Sequence, residues 1–411
     1  EDVFLCKKTG GGKSICYQAY QPCWTNLHGD VEKCQVLVVC PLLSIMKEQC
    51  ECLSAAGFSA TYIGTDRDDE EALLNGDFQF VYTSPEHILG VSKWNGMFRS
   101  TTSFQLLVMK HIQFFTGGSS EKADIPFRPW FSKLGKIRSL IDCPVLLITA
   151  TANKAARMKL QSMFCMKSCF EIIDNPDLEN IKLFVTKVKS TIPLSEIFFF
   201  IIQKVKAEKD TCERYIIFCQ SIKSCSEIFT MFRLQLGLEI HYIEMFHSNT
   251  SDEVKENVKK NMNDINGSIR ILAATSAAGM GVNFQGVKHV VNCGPPADMD
   301  SFVQQYGRAG RDGSFATGLL IYNAKQCKKN DMDMKNYLGN TGLCRRQQIL
   351  NAYNAKLAPI CKHLCCDLYS ILCNCDDKSC SLFNHPNFES TLPSFSSDSP
   401  DSSNSDSDWS Y

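Results

Sequence analysis

The sequence predicts an α/β protein made of two doubly wound parallel sheets in tandem. Three observations carry this prediction. Short, continuous apolar runs recur, as strands covered on both faces require. Each is followed by a helix-compatible stretch, and the whole pattern restarts near Asn175. A length of 411 residues has room for two or three such domains with cores of their own.

The first run, Val3-Phe4-Leu5-Cys6, reads as a buried strand. It leads into Thr9-Gly10-Gly11-Gly12-Lys13-Ser14 and then the helix-compatible Ile15-Cys16-Tyr17-Gln18. Strand, glycine turn and helix form a phosphate cradle: backbone N–H groups turn inward, Lys13 adds a point charge, and the Ser14 hydroxyl is placed to ligand Mg²⁺. Lys7 stands where the fullest form of this pattern has glycine. The plainer alternative is a glycine-rich turn with a chance Lys-Ser.

Residues 35–40 (QVLVVC) form the next strand, ended by Pro41, with a helix opening across Ser44 and Gln49. Residues 78–82 repeat the unit and close in Thr83-Ser84-Pro85-Glu86. Polar groups at such strand ends face the ligand crevice, so Ser44, Gln49, Thr83 and Ser84 are candidate phosphate contacts. Ser44 and Ser84 are also ordinary helix caps. A third strand, 104–109, ends where a nucleotide hydrolase needs a carboxylate for Mg²⁺ and then a glutamate to activate water. The chain instead reads Lys110-His111-Ile112-Gln113. The next strand, 145–148, ends in Thr149-Ala150-Thr151-Ala152, a small-residue turn suited to relaying nucleotide state between domains.

In the second half, 215–219, 240–243 and 269–274 read as strands, with an amphipathic stretch at 221–236. Thr275-Ser276-Ala277-Ala278-Gly279-Met280-Gly281-Val282-Asn283 follows, and then Gln304-Gln305-Tyr306-Gly307-Arg308-Ala309-Gly310-Arg311-Asp312-Gly313. Arg308 and Arg311, three apart on a helical turn, project from one face and can reach a phosphate held by the other domain.

Lys plus Arg (43) balance Asp plus Glu (44), so a nucleic-acid site must be a local groove. The 22 cysteines are scattered without the close pairing of a disulfide framework, which points to a reducing compartment, with metal ligands only where they cluster near the C-terminus. The most apolar stretch, 197–202, is too short to span a bilayer. The chain opens at Glu1 on the strand before the loop, which gives it the look of an N-terminally truncated sequence.

The ordered elements T-G-G-G-K-S, P-L-x-S-I-M-K-E-Q, T-S-P-E, T-A-T-A, T-S-A-A-G-M-G and Q-Q-Y-G-R-A-G-R-D-G resemble the RecQ family of superfamily-2 helicases from Asp2 to about Leu320. The resemblance implies two RecA-like domains with ATP and Mg²⁺ between them, and 3′-to-5′ travel on single-stranded or forked DNA in repair and recombination, in the nucleus. It assigns Thr9, Gly10, Gly11, Gly12, Lys13, Ser14, Gly281, Asn283 and Gln304 to nucleotide binding. Lys13, Arg308 and Arg311 take the catalytic charges, and Ser44, Gln49, Thr83 and Ser84 the DNA backbone. The implied domains are 1–174 and 175–335, then a zinc-binding-like module at 336–385 and a disordered Ser/Asp-rich tail at 386–411.

The largest departure lies between residues 110 and 125, where the family's D-E-A-H and aromatic loop are replaced by unrelated sequence while Phe127-Arg128-Pro129 resumes the pattern. Such a sharp block has the form of a mis-joined exon or of a catalytically inactive nucleotide- and DNA-binding paralogue. An RNA helicase of the same superfamily is the third reading. Asn283 and Gln305 replace acidic family residues. In the C-terminal module Cys344 and Cys366 fit the family's Zn²⁺ ligands and His363 replaces a cysteine; Cys361, Cys365, Cys373 or Cys375 remain as further ligands, and reduced cysteines in a small helical core remain the alternative. Without zinc so short a module is expected to fray. The tail is either an acidic, phosphorylatable interaction segment or a solvated terminus.

Overall fold

The computed structural model describes residues 1–8, 11–29, 34–64, 70–100, 104–110, 129–166, 168–237, 241–276, 284–328 and 330–374. Two wholly parallel sheets organise them. The first holds β1 (Asp2–Cys6), β2 (Gln35–Val39), β3 (Ala60–Tyr62), β4 (Phe80–Thr83), β5 (Phe104–Lys110), β6 (Val145–Thr149) and β7 (Cys169–Ile173), in the order β3-β4-β2-β5-β6-β1-β7. The second holds β8 (Ile181–Lys187), β9 (Arg214–Cys219), β10 (Ile243–Phe246), β11 (Ile271–Ala274), β12 (Val287–Cys293) and β13 (Ala316–Tyr322), in the order β10-β11-β9-β12-β13-β8. This is the expected tandem α/β architecture, and the sheets divide between Ile173 and Ile181.

The central strands follow from their side chains. All five residues of β2 and of β6 are buried, as are all six of β9, so helices cover both faces. Several strands escape an apolar-run criterion. β3 has three residues, β12 carries Lys288, His289 and Asn292, and β13 carries Gly318. β8 has a fully buried lysine, Lys182, whose ammonium lies 5.0 Å from the Phe184 ring centre. One strand is displaced from expectation: 241–242 form a turn and β10 begins at Ile243. The helix expected at 221–236 is present as Ile222–Leu236, with Ser221 as its cap.

Each sheet is braced at its N-terminal edge by a buried charge. In the first, Asp2 Oδ1 accepts from the Val145 N–H at 2.9 Å and Oδ2 from Arg138 at 3.2 Å. In the second, the Arg214 guanidinium donates to the carbonyls of Met262, Gln285, Asn261, Asp264 and Gly267.

The C-terminal module is continuous with the second sheet. Tyr337, Leu338, Cys344, Ile349, Tyr353, Cys365 and Cys366 share one core with Ile181, Leu183, Phe302 and Tyr306. Arg346 pairs with buried Asp177 at 2.5 Å, Arg345 with Asp367 at 2.5 Å, and Asp367 accepts from the Val185 N–H at 3.1 Å. The module therefore rests on a core that it shares with the second sheet. Residues 375–411 lie outside the described residues, so the tail and Cys375 are not placed. Among the described residues, no helix is long and apolar enough to cross a membrane.

Candidate functional site

The segments that follow β1, β5 and β6 leave neighbouring strands at the same edge of the first sheet, since β5, β6 and β1 are adjacent and parallel. Strand order alone therefore brings the glycine loop, Lys110 and the 149–152 turn together.

The loop after β1 is built for close approach. Gly12 has φ +73°, a conformation that favours glycine, and a Cβ on Gly11 would come within 2.9 Å of the Lys8 carbonyl oxygen. Lys7, in the place of the pattern's first glycine, forms an ion pair with Asp174 at 2.9 Å. Lys13 Nζ donates to the carbonyls of Lys7 and Lys8, both at 3.0 Å, so its ammonium sits inside the cradle the loop forms. Thr9 and Gly10 lie outside the described residues.

Lys110 ends β5 and is buried. Its Nζ donates to Ser14 Oγ at 3.0 Å, Tyr17 OH at 3.3 Å and Gln49 Oε1 at 3.4 Å, and lies 5.5 Å from the Tyr17 ring centre. Gln49 Oε1 also accepts from Tyr17 OH at 3.0 Å and Gln18 Nε2 at 3.3 Å, and Tyr17 OH lies 3.2 Å from Tyr82 OH. The hydroxyl expected to ligand Mg²⁺ thus has an ammonium as its partner. The family implies ATP and Mg²⁺, but this donor set does not fit a divalent cation, which needs oxygen ligands and a carboxylate at the strand end. Residues 111–128, which span the rest of the replaced block, lie outside the described residues.

The opposite wall comes from the second sheet. The helix Met299–Tyr306 is capped by Asp298 Oδ1, which accepts from the Ser301 N–H at 2.7 Å. It runs into a turn through Gly307 and Arg308. Gly310 has φ +58°, and Asn180 Nδ2 donates at 2.8 Å to the carbonyls of both Gly310 and Ser314. A Cβ at residue 310 would lie 2.4 Å from that nitrogen, so glycine is required where the chain reverses between Arg308 and Arg311. Across the cleft, Gln304 Nε2 donates to Thr151 Oγ1 at 3.3 Å. Tyr353 OH donates to the Asp300 carboxyl at 2.5 Å, and the nearby Thr151 hydroxyl also favours the ionised form of that carboxyl. The relay turn is therefore wired through Asp300 to the C-terminal module.

Electrostatically the cleft is strongly positive. Burial, then the charges of Lys110, Arg311 and Arg308, push Lys13 down to about 8. Burial lowers Arg308 to about 9, with Arg311 adding to the effect, and lowers Arg311 to about 10. Burial raises Asp300 to about 6 against the opposing Tyr353 and Thr151 hydrogen bonds. Like charges crowded this way call for a polyanion.

Lys13, Ser14, Gln304, Arg308 and Arg311 thus stand around one cleft, together with Lys110, Tyr17 and Asp300, which sequence reasoning did not assign. Their signal was position: Lys110 ends a site-forming strand, Tyr17 follows Ser14 by three, and Asp300 precedes Gln304 by four. Gly281 and Asn283 lie outside the described residues. The four expected DNA contacts fare differently. Gln49 is engaged in the Lys110 network. Thr83 is fully buried, its hydroxyl donating to the Ser84 carbonyl at 3.4 Å. Ser84 caps the helix Pro85–Gly90 and lies 2.9 Å from His87 Nδ1. Ser44 lies inside the helix Leu43–Ala55, whose N-cap is Leu42, so it is not a cap; its side chain is not described.

In the C-terminal module the sulfurs of Cys344, Cys365 and Cys366 lie within 4.8 Å of one another, all buried. The two neighbouring thiols hold the Cys344 thiol well below its usual range, assisted by the backbone around Arg346 and Gln347. Three such sulfurs fit three corners of a tetrahedral zinc site. His363 stands apart from this group, with its Nδ1 3.5 Å from Cys373 Sγ. The expected ligand set is corrected accordingly, with Cys365 in the place given to His363.

Residues 1–158 match the DEAD/DEAH box helicase family, and residues 196–313 match the helicase conserved C-terminal domain. The chain is 25% identical over 397 residues to the ATP-dependent DNA helicase RecQ of Haemophilus influenzae, covering 90% of this chain and 58% of that protein. It is 28% identical over 330 residues to the RecQ of Pasteurella multocida, covering 78% and 48%. The chain therefore spans about half the length of these relatives. Among solved structures, the DEAD-box helicase Mss116 bound to single-stranded RNA and UDP-BeF superposes with TM-score 0.63 at 17% identity, covering 87% of this chain and 75% of that one. Helicase Lhr of Mycobacterium smegmatis bound to single-stranded DNA and AMP-PNP gives 0.59 at 15%, covering 87% and 47%. These structural likenesses establish the fold.

Proposed function

Because this chain is a RecQ-like helicase core of superfamily 2, we propose that it acts as an ATP-dependent DNA helicase that moves 3′-to-5′ along single-stranded or forked DNA in nuclear repair or recombination. The observation that carries the reading is the cleft itself, in which Lys13 and Ser14 face Arg308 and Arg311 with Gln304 bonded to Thr151 across it. When the cleft takes up a triphosphate, Lys13 exchanges its loop carbonyls for phosphate oxygens. Arg308 and Arg311 then meet the same phosphates from the other sheet, so closure follows the charge. The Thr151 and Gln304 bond registers closure, and Asp300 passes it to the module through Tyr353. In that module Cys344, Cys365 and Cys366 would hold Zn²⁺, which would tie three of its helices together.

Lys110 favours a second reading: nucleotide binds and gates DNA affinity with little turnover. Strand separation on 3′-tailed and 5′-tailed duplexes, with ATP turnover measured on DNA and on RNA, decides between them. Separation of the 3′-tailed DNA duplex with DNA-stimulated turnover supports the helicase. DNA binding that responds to ATP without turnover supports the gate, and stimulation by RNA alone overturns both.

A further inference from the structure

The structure assigns to Lys110 the place that a divalent cation would hold, and we propose that this cleft takes a nucleoside triphosphate in its metal-free form. The inference deepens the nucleotide-binding reading and rests on it. Lys110 Nζ lies 3.0 Å from Ser14 Oγ, inside the loop-to-helix turn, at the end of a strand whose Leu106 to Met109 pair in regular parallel register with β2, past an irregularity at its start, and whose Leu107 to Lys110 pair with β6. The ammonium is buried and held by three oxygens, those of Ser14, Tyr17 and Gln49, which match its three N–H donors. As Ser14 Oγ accepts from Lys110, its own proton is free to be donated to a phosphate oxygen. The lysine thereby supplies positive charge one hydroxyl away from the phosphates.

A magnesium ion on the same Ser14 oxygen, at about 2.1 Å, would lie within a few ångströms of that ammonium and would have lost the strand-end carboxylate that balances it. The charge inventory agrees. Lys13, Lys110, Arg308 and Arg311 present four cationic groups to the cleft, and the carboxyl of Asp300 offsets only part of this. A metal-free triphosphate carries about two more negative charges than its magnesium complex, and so matches this wall better. Glu48, next to Gln49, feels the Lys110 charge through space, but burial dominates and raises its carboxyl pKa. Within the described residues, the strand end that leads into the replaced block thus carries an ammonium where the family pattern has a carboxylate.

The test is calorimetric titration of the whole chain with ATP, once in Mg²⁺ and once in EDTA, alongside Lys110→Asp and Lys110→Met. Wild type should bind in EDTA as tightly as in Mg²⁺, or more tightly. Lys110→Asp should invert this, binding about tenfold or more tightly with Mg²⁺ than without. Lys110→Met, which keeps the side-chain length and drops the charge, should lose affinity in EDTA and so keeps the test decisive if the Asp variant fails to fold. Wild-type affinity about tenfold weaker in EDTA would overturn the inference and leave the nucleotide site standing. No binding of folded wild type under either condition would overturn both.

Discussion

The two walls of the cleft come from sheets of the same construction, yet they differ in how closely site chemistry follows scaffold. On the second wall, Gly310, Asn180 and the Asp298 cap fix the turn that presents Arg308 and Arg311, and both arginines keep the residue type of the family pattern although Gln305 beside them does not. On the first wall β5 keeps a regular register with β2 from Leu106 onward and with β6, while its last residue has changed from an expected anion to a cation. The lesson is that a parallel strand is specified by its buried body and not by its tip. The body of β5 is fixed by packing of Leu106 to Met109, whereas the tip answers only to the ligand.

The largest effect that would sharpen this comparison is structural. Arg214→Leu should destabilise the second sheet by about 3–5 kcal/mol, because five backbone carbonyls lose a shared charged donor. Denaturant unfolding should lose its second-sheet stability while the tryptophans, all at or before Trp130 apart from the tail, report a first sheet little changed. A single concerted loss in both sheets would show that the two walls fold as one unit.

Next in size is Lys13→Ala. It removes a charged donor from the phosphate cradle and should weaken ATP binding by about 10- to 100-fold at unchanged thermal stability, since a charged hydrogen bond contributes about 1.5–3 kcal/mol. Arg311→Ala on the facing wall should weaken it less, because Arg308 remains. Equal losses would mean that the two walls contribute symmetrically to the phosphate site.

How much of this was legible in the sequence divides along the same line. Strands with unbroken apolar bodies, such as β2 at Val36 to Val39 and β9 at Tyr215 to Cys219, and the loop around Lys13 could be read directly, because burial on both faces makes a continuous apolar run. β12 could not, because its polar residues are satisfied by partners far along the chain: His289 Nδ1 lies 2.7 Å from Thr317 Oγ1 and Nε2 lies 2.8 Å from Glu213 Oε2. The same holds for the site. Arg308 and Arg311 sit in a local motif, whereas Lys110 meets Ser14 across 96 residues, so its role follows from strand order and not from spacing. The burial of Thr83 was not legible either, because it follows from the packing around the strand end and not from the residue type.

A smaller effect tests the bridge between the walls. Gln304→Ala removes one neutral hydrogen bond to Thr151, worth about 0.5–1.5 kcal/mol, and should leave ATP affinity nearly intact while reducing the change in DNA affinity on ATP binding. If ATP affinity falls as far as in Lys13→Ala, Gln304 belongs to the phosphate site and is not a sensor.

The smallest expected effect concerns Asp300, where the two walls and the C-terminal module meet. Its carboxyl is raised by burial to about 6, above the roughly 3.9 of an exposed aspartate in the unfolded chain. Between these values the native state holds more protons than the unfolded state, so this residue makes stability fall as pH rises from about 4 through 6. Below that window both states are protonated and above it both are ionised, and the contribution is flat in each. Asp300→Asn removes the titration while its amide oxygen can still accept from Tyr353 or Thr151. Melting temperatures across pH 4 to 7 should therefore show a wild-type drift of roughly a few degrees that the variant lacks. A drift of the opposite sign would mean that the hydroxyls of Tyr353 and Thr151 outweigh burial, and that the carboxylate is held ionised as a fixed link between the two walls.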